Sequence, residues 1–257
     1  MPLRLISTDF DGTLFAEFEK PPVPDRLVRL LAHFQGQGAK WIINTGRELA
    51  SLLETLGRAQ LPIQPDLLVL VEREIYVHDG VRYLPDHAWN SACDAAHNEL
   101  FARVRPDLPD LTRWIAAREP SATVYEDPFS PLCVISKSNA GAEAITRHLE
   151  AYARQSADLS VVRNDVYIRF SHAAYDKGRC LAEIARQTGA EPHEIVAAGD
   201  HFNDLPKLRR EIAHHLIAPA NAIPEVKAQV TAHGGYISAQ PCGHGVAAGL
   251  EFLLERV

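Results

Sequence analysis

The feature that most limits how this chain can fold is the alternation of short, unbroken apolar runs with helical stripes. Leu3, Leu5 and Ile6, then Trp41-Ile42-Ile43, then residues 67–71 read as strands, and continuous apolar runs of this length suit strands covered on both faces in a parallel sheet. Between them, Leu27, Leu30, Leu31 and Phe34 share one helical face, with Asp25 as its cap and Gly36 and Gly38 as its stop. Leu49, Leu52, Leu53 and Leu56 form a second stripe, closed by Gly57. The order β-α-β-α-β predicts a doubly wound, Rossmann-like α/β core. The same texture returns after Lys177, with a helix over Leu181, Ile184 and Ala185, a strand at 195–198, a helix at 205–210 and a last helix over 246–254.

The regular alternation breaks near Asp79-Gly80, where Tyr83, His87, Trp89 and Trp114 follow in quick succession. An inserted α/β unit is expected from 79 to 172, with helices at 91–104 and 142–154 and strands at 132–136 and 161–170. The core then consists of two segments, 1–78 and 173–257.

Composition removes several classes of partner. The chain has 257 residues, 46% of them hydrophobic, enough for a packed α/β core. Its net charge of −7 comes with no dense basic run, which argues against nucleic acid as a partner. Cys93, Cys133, Cys180 and Cys242 lie far apart, without the paired spacing of a zinc ribbon or a disulfide framework, so a reducing compartment is expected. No apolar stretch reaches the roughly 20 residues of a membrane span, and the first residues lack the charged, apolar and cleavable parts of a signal peptide. A soluble cytoplasmic protein without a membrane partner is the expectation.

The chemistry is concentrated at the ends of the expected core strands. Asp9 and Asp11 in Asp9-Phe10-Asp11-Gly12-Thr13-Leu14 lie two apart just beyond a strand, where residues i and i+2 point the same way. One such carboxylate can attack phosphorus while the other protonates a leaving oxygen and later activates water. Gly12 lets the backbone turn, and Thr13 adds a hydroxyl for local hydrogen bonds. Thr45-Gly46, at the end of the second strand, offers a hydroxyl and free N–H groups to phosphate oxygens. Gly199-Asp200-His201-Phe202-Asn203-Asp204 follows a further strand. Mg²⁺ prefers a few hard oxygen ligands, and Asp200, Asp9 and the backbone carbonyl of Asp11 supply them. His214, His215, His233 and His244 match no ligand spacing and read as surface or loop residues.

These stations, with Lys177 of Tyr175-Asp176-Lys177-Gly178 ahead of a helix, resemble in their order the four motifs of the haloacid dehalogenase superfamily of phosphohydrolases. An insertion between the second and third motifs is similar to the Cof-type subgroup, which carries an α/β cap there. The run from Asn221 to Lys227 and the late Gly243-His244-Gly245-Val246 are similar to the tail of those proteins. In place of the Asn-Gly-Ala common after the third strand stands Val71-Glu72-Arg73-Glu74-Ile75-Tyr76. With Asp79-Gly80 and Trp89, this looks more like the sucrose-phosphate phosphatase branch.

The resemblance implies a Mg²⁺-dependent phosphomonoester hydrolase working through an aspartyl-phosphate, on a small sugar phosphate or related phosphorylated metabolite, as a monomer or small homo-oligomer. It implies Asp9 as nucleophile and Asp11 as acid and base. Thr45, Gly46, Lys177 and Asn203 would hold phosphate, with Asp9, Asp11 and Asp200 at the metal and Asp204 orienting them from behind. Arg47, Glu74, Ser136, Lys137 and Arg163 are candidates for substrate specificity. Two other readings stay open: a sugar phosphomutase, marked by a bisphosphorylated activator, and a non-catalytic sugar-phosphate-binding regulator, marked by the absence of turnover.

Overall fold

A computed structural model describes residues 3–255 and divides the chain into two units. The segments up to His87 and from Lys177 form the core unit, and Ala88–Asp176 form the inserted unit. The first segment runs β1 (Leu5–Thr8), α1 (Asp25–Gly36), β2 (Lys40–Asn44), α2 (Leu49–Ala59), β3 (Leu67–Leu70), β4 (Glu74–His78) and β5 (Tyr83–Pro85). The inserted unit contributes α3 (His87–Val104), α4 (Leu108–Arg118), β6 (Thr123–Asp127), β7 (Ser130–Ile135), α5 (Asn139–Ala153), β8 (Leu159–Asn164) and β9 (Tyr167–His172). The chain then returns through α6 (Lys177–Thr188), β10 (Ile195–Ala198), β11 (His215–Ala218), α7 (Pro224–Ala232), β12 (Tyr236–Ile237) and α8 (Cys242–Leu254).

The core sheet has the order β12-β11-β10-β1-β2-β3-β4-β5. It is parallel from β12 to β3, and β4 and β5 complete it as an antiparallel hairpin. β1 lies between β10 and β2, with Thr8 level with Ala198 and Ile43. The residues just beyond these three strands therefore emerge at one carboxyl edge, where open α/β sheets collect their ligands. Phe10 fixes the geometry there. Its fully buried ring stacks on Phe15 at 5.0 Å within the core cluster that includes Leu14, Leu27 and Leu31, and burying it contributes about 2 kcal/mol.

The inserted unit is an antiparallel sheet, β6-β7-β9-β8. Leu132 and Val134 of β7 and Ile168 and Phe170 of β9 pack with Leu100, Ile115, Ile145 and Leu149 of its three helices in one core.

Several sequence expectations shift. Asp79-Gly80 does not open the inserted unit: Asp79 Oδ1 accepts the N–H groups of Val81 and Arg82, both at 2.8 Å, and makes the turn of the β4–β5 hairpin. The core segment thus extends to His87. The single strand expected at 161–170 is two strands, because the chain reverses at Asp165 with φ of 51°. No helix forms over 205–210. Phe202–Asp204 makes one 3₁₀ turn and the chain continues in turns, because Pro206 has no N–H to extend it. Helix α4, whose Leu108, Leu111 and Ile115 fall on one face, and strand β6 are elements beyond those expected from the sequence.

Candidate active site

Asp9 follows β1 and is buried, with its backbone N–H bonded to Ala198 of β10 at 3.0 Å. Its Oδ1 accepts from Nζ of Lys177 at 2.6 Å. Lys177 opens α6 and is fully buried, and its backbone carbonyl accepts from Asn44 Nδ2 at 3.0 Å, which ties the helix start to the end of β2. The same ammonium reaches Asp204 Oδ1 at 2.8 Å. A second ammonium, Lys207, reaches that oxygen at 2.7 Å and is likewise fully buried. The other oxygen of Asp204 accepts the N–H groups of Asp200 at 2.9 Å and His201 at 3.1 Å. Asp204 is thereby saturated, which suits an orienting group better than a ligand.

Asp200 stands beside this row. Thr13, fully buried, donates to its Oδ1 at 2.6 Å, a bond between residues 187 positions apart where a local one was expected. Gly12 turns with φ of +75°, and a Cβ there would stand 2.6 Å from Asp200 Oδ2, so both the backbone conformation and the approach require glycine. Asn221 Nδ2 holds the Gly12 carbonyl at 2.8 Å and lies 3.4 Å from Asp200 Oδ2. Carboxylate oxygens of Asp9, Asp200 and Asp204 all lie within 4.8 Å of one another.

Burial and mutual repulsion dominate the electrostatics. Burial, then the charge of Asp204, pushes Asp9 up to about 6 against the pull of Lys177. Burial, then Asp9 and Asp204, pushes Asp200 up to about 8. Burial works to raise Asp204 as well, but Lys177 and Lys207 outweigh it and hold the group well below the carboxylate range. Burial alone would lower Lys177, yet Asp204, Asp9 and Glu72 keep it above the ordinary lysine value. Lys207, with fewer carboxylates around it, is lowered by burial.

Asp11 is set apart from this row. It is exposed, and Arg47 grips it twice, Nε to Oδ2 and Nη2 to Oδ1, both at 2.7 Å. Arg47 is itself fixed by Thr55 Oγ1 at 2.9 Å and Ser51 Oγ at 3.2 Å. Thr45 is buried after β2, and its hydroxyl accepts the Arg47 N–H at 3.2 Å. Gly46 lies against the carboxylate of Glu72. Asn203 is buried, its Nδ2 donating to Glu72 Oε1 at 2.7 Å. Val71 and Glu72 both take positive φ, 44° and 67°, a costly pair that presents the Glu72 carboxylate to Asn203.

The specificity candidates are scattered. Glu74 begins β4 and accepts from the Tyr76 hydroxyl at 3.2 Å. In the inserted unit, Ser136 is buried and donates to the Ser138 carbonyl at 3.0 Å, next to the Ser138 hydroxyl that caps α5. Arg163 is buried against α5, bonded to Glu143 at 2.7 Å and to Asn139. Lys137 is exposed. Sequence reasoning missed Asn44, Glu72 and Lys207. A lysine flanked by Leu205, Pro206 and Leu208 and three residues from an aspartate was the one available signal for Lys207.

The model of one family, described as sucrose-6F-phosphate phosphohydrolase, matches residues 2–253. The chain belongs to this family. It is a phosphatase of the haloacid dehalogenase superfamily. Along its length it is 29% identical over 262 residues to a phosphoglycolate phosphatase of Methanopyrus kandleri, covering 98% of each chain. Its fold is similar to that of the Synechocystis sucrose-phosphatase solved with sucrose and phosphate, with a TM-score of 0.71, 16% identity and 98% of each chain covered. It is also similar to a haloacid dehalogenase-like hydrolase of Bacteroides thetaiotaomicron, with a TM-score of 0.65, 18% identity, and 98% of this chain and 99% of that one covered. No helix among the described residues is long and apolar enough to cross a membrane.

Proposed function

We propose that this phosphatase hydrolyses small sugar phosphates or related phosphorylated metabolites with Mg²⁺, through a phosphoryl group carried on Asp9. The observation that carries the reading is the pairing of Asp9 with the fully buried Lys177, beside Asp200, at the carboxyl edge of a parallel sheet. A divalent cation fits the donor set: hard carboxylate oxygens from Asp9 and Asp200 lie close together and buried, and burial, then repulsion between neighbouring carboxylates, raises each of them. Asp9, Asp200 and the Asp11 backbone carbonyl would hold Mg²⁺, with Asp204 orienting the site from behind. The ion supplies charge neutralisation for the phosphoryl oxygens.

In the first step an Asp9 oxygen forms a bond to phosphorus as the ester P–O bond breaks, and the leaving oxygen takes a proton from Asp11. In the second, water attacks phosphorus, Asp11 takes the water's proton, and the bond from phosphorus to Asp9 breaks to release inorganic phosphate. Lys177, Asn203, Thr45 and Gly46 hold the phosphoryl oxygens. The ion pair with Arg47 needs a carboxylate at Asp11, so bringing a proton to the leaving group requires those two bonds to be given up. Four free thiols accord with a cytoplasmic location.

The family match and the sucrose-phosphatase fold support a sugar phosphate, while the full-length relative favours a small phosphorylated acid. A panel that includes sucrose-6F-phosphate and phosphoglycolate, assayed with Mg²⁺ and with excess chelator, tests the reading. Mg²⁺-dependent release of phosphate from at least one monoester is expected. Full activity in chelator, or none on any monoester, overturns it.

A further inference from the structure

Lys207 has no task in the reaction just described, yet it is a fully buried ammonium. Burying a charge costs several kcal/mol unless a partner repays it. Its partner, Asp204 Oδ1, is also the partner of Lys177, at 2.7 and 2.8 Å. The result is a buried row of alternating charge: Asp9, Lys177, Asp204, Lys207. The backbone is shaped to bring the row together. A Cβ on Gly178, the second residue of α6, would collide with the Pro206 carbonyl and stand 3.0 Å from the Lys207 backbone nitrogen, so glycine lets the helix that carries Lys177 sit directly on the segment that carries Lys207.

We propose that Lys207 is a positioning residue: by sharing Asp204 with Lys177 it leaves the Lys177 charge directed at Asp9 and an incoming phosphoryl group, and it sets the balance between cation and phosphate affinity at the site. The proposal rests on the phosphoryl-transfer reading above. Without Lys207, the full charge of Asp204 falls on Lys177. Three carboxylates, Asp9, Asp200 and Asp204, would then face one ammonium where they now face two. A site made more negative binds a divalent cation more tightly and a phosphate dianion more weakly. A lysine that merely pins the 205–208 segment predicts something else: lower stability, with the two affinities unmoved or weakened together.

The test compares Lys207→Met, which fills the space without charge, and Lys207→Gln, which keeps an N–H donor without charge, with the intact protein. Mg²⁺ affinity is read by calorimetry without substrate. Inorganic phosphate is read as a competitive inhibitor at saturating Mg²⁺, with kcat, KM and thermal denaturation alongside. In both variants Mg²⁺ should bind roughly 3- to 10-fold tighter and phosphate about 10-fold weaker, with KM rising more than kcat falls. If one variant fails to fold, the other carries the comparison. Affinities that stay put, or that weaken together, overturn the proposal even if stability drops. Failure of the intact protein to bind Mg²⁺ or to hydrolyse any phosphomonoester would instead remove the reading beneath it, and the proposal with it.

Discussion

In the core unit, residues that follow β1 and β10 and the residue that starts α6 meet in one buried charged row, although Asp9 and Lys177 are 168 positions apart. In the inserted unit, Ser136 follows β7 and Arg163 lies on β8, strands separated by β9 in an antiparallel sheet, and both spend their bonds within the unit, around the start of α5. The difference follows from topology. A parallel sheet delivers the ends of non-consecutive strands to one edge, where polar groups with no local partner find one another. The inserted sheet, whose β7–β8 connection is the helix α5, gives its polar residues partners at the start of that helix, within the same unit, and they become stitches.

The largest effect expected from that contrast is at Asp9. Asp9→Asn keeps the shape and one acceptor for Lys177 but removes the nucleophile, so kcat should fall by at least about 10³-fold while the circular dichroism spectrum stays native. Near-normal turnover by a folded variant would break the comparison at its strongest point. Asp11→Asn comes next. Its loss should reach about 10²- to 10⁴-fold on alkyl phosphates and much less on an aryl phosphate, whose leaving group needs little protonation. Equal losses on both would take the acid role from Asp11 and leave its pairing with Arg47 as structure.

What could be read from the chain beforehand divides along the same line. The motif residues stood out because each follows or precedes a core element, and Asp9, Lys177 and Asp200 are found where strand ends meet. Their supports did not stand out. The Thr13 bond to Asp200, the Glu72 bond to Asn203 and the Lys207 bond to Asp204 link segments whose separation or burial no periodic pattern records. The hairpin at Asp79-Gly80 misled for a different reason: its alternation is weak because Val77 and Leu84, paired across it, are both partly exposed.

Burial also makes the core row sensitive to pH, with the opposite sign to the histidines His148 and His172 that burial lowers in the inserted unit. Asp9, at about 6, and Asp200, at about 8, both lie above the 3.8 of a free aspartate. Between those values Asp9 and Asp200 bind more protons in the folded protein than in the unfolded chain, so they should cost the metal-free protein stability as pH rises from about 4 to about 8, while the lowered His148, His172, His214 and His215 work the other way. Asp204 carries the opposite sign, and its contribution fades only below the ordinary carboxylate range. Relative to Asp200→Asn, the melting temperature in chelator should therefore fall across this window by a few degrees. Mg²⁺ should offset it by favouring the ionised carboxylates. A metal-free protein that gains as much stability from pH 4 to 8 as Asp200→Asn does would contradict the charge balance described for the row.

The smallest effect is expected at Arg163, and it separates the two units most sharply. This side chain was a candidate for holding a sugar hydroxyl, but it is buried and donates to the Asp165 carbonyl at 2.9 Å, to Glu143 at 2.7 Å and to Asn139 at 3.3 Å. Glu143 is about half exposed, so water screens that pair, and most of the cost of removing Arg163 lies in lost backbone and amide bonds and in packing. Arg163→Ala should therefore destabilise the protein by about 1–2 kcal/mol, a few degrees in melting temperature, while kcat/KM stays within about twofold of the intact enzyme for every substrate accepted. Arg163→Lys, which keeps the charge but not the fork, should recover only part of the stability. A tenfold rise in KM for one sugar phosphate, with no change in melting temperature, would give the inserted unit the same use of polar residues as the core, and the contrast between the two sheets would fail.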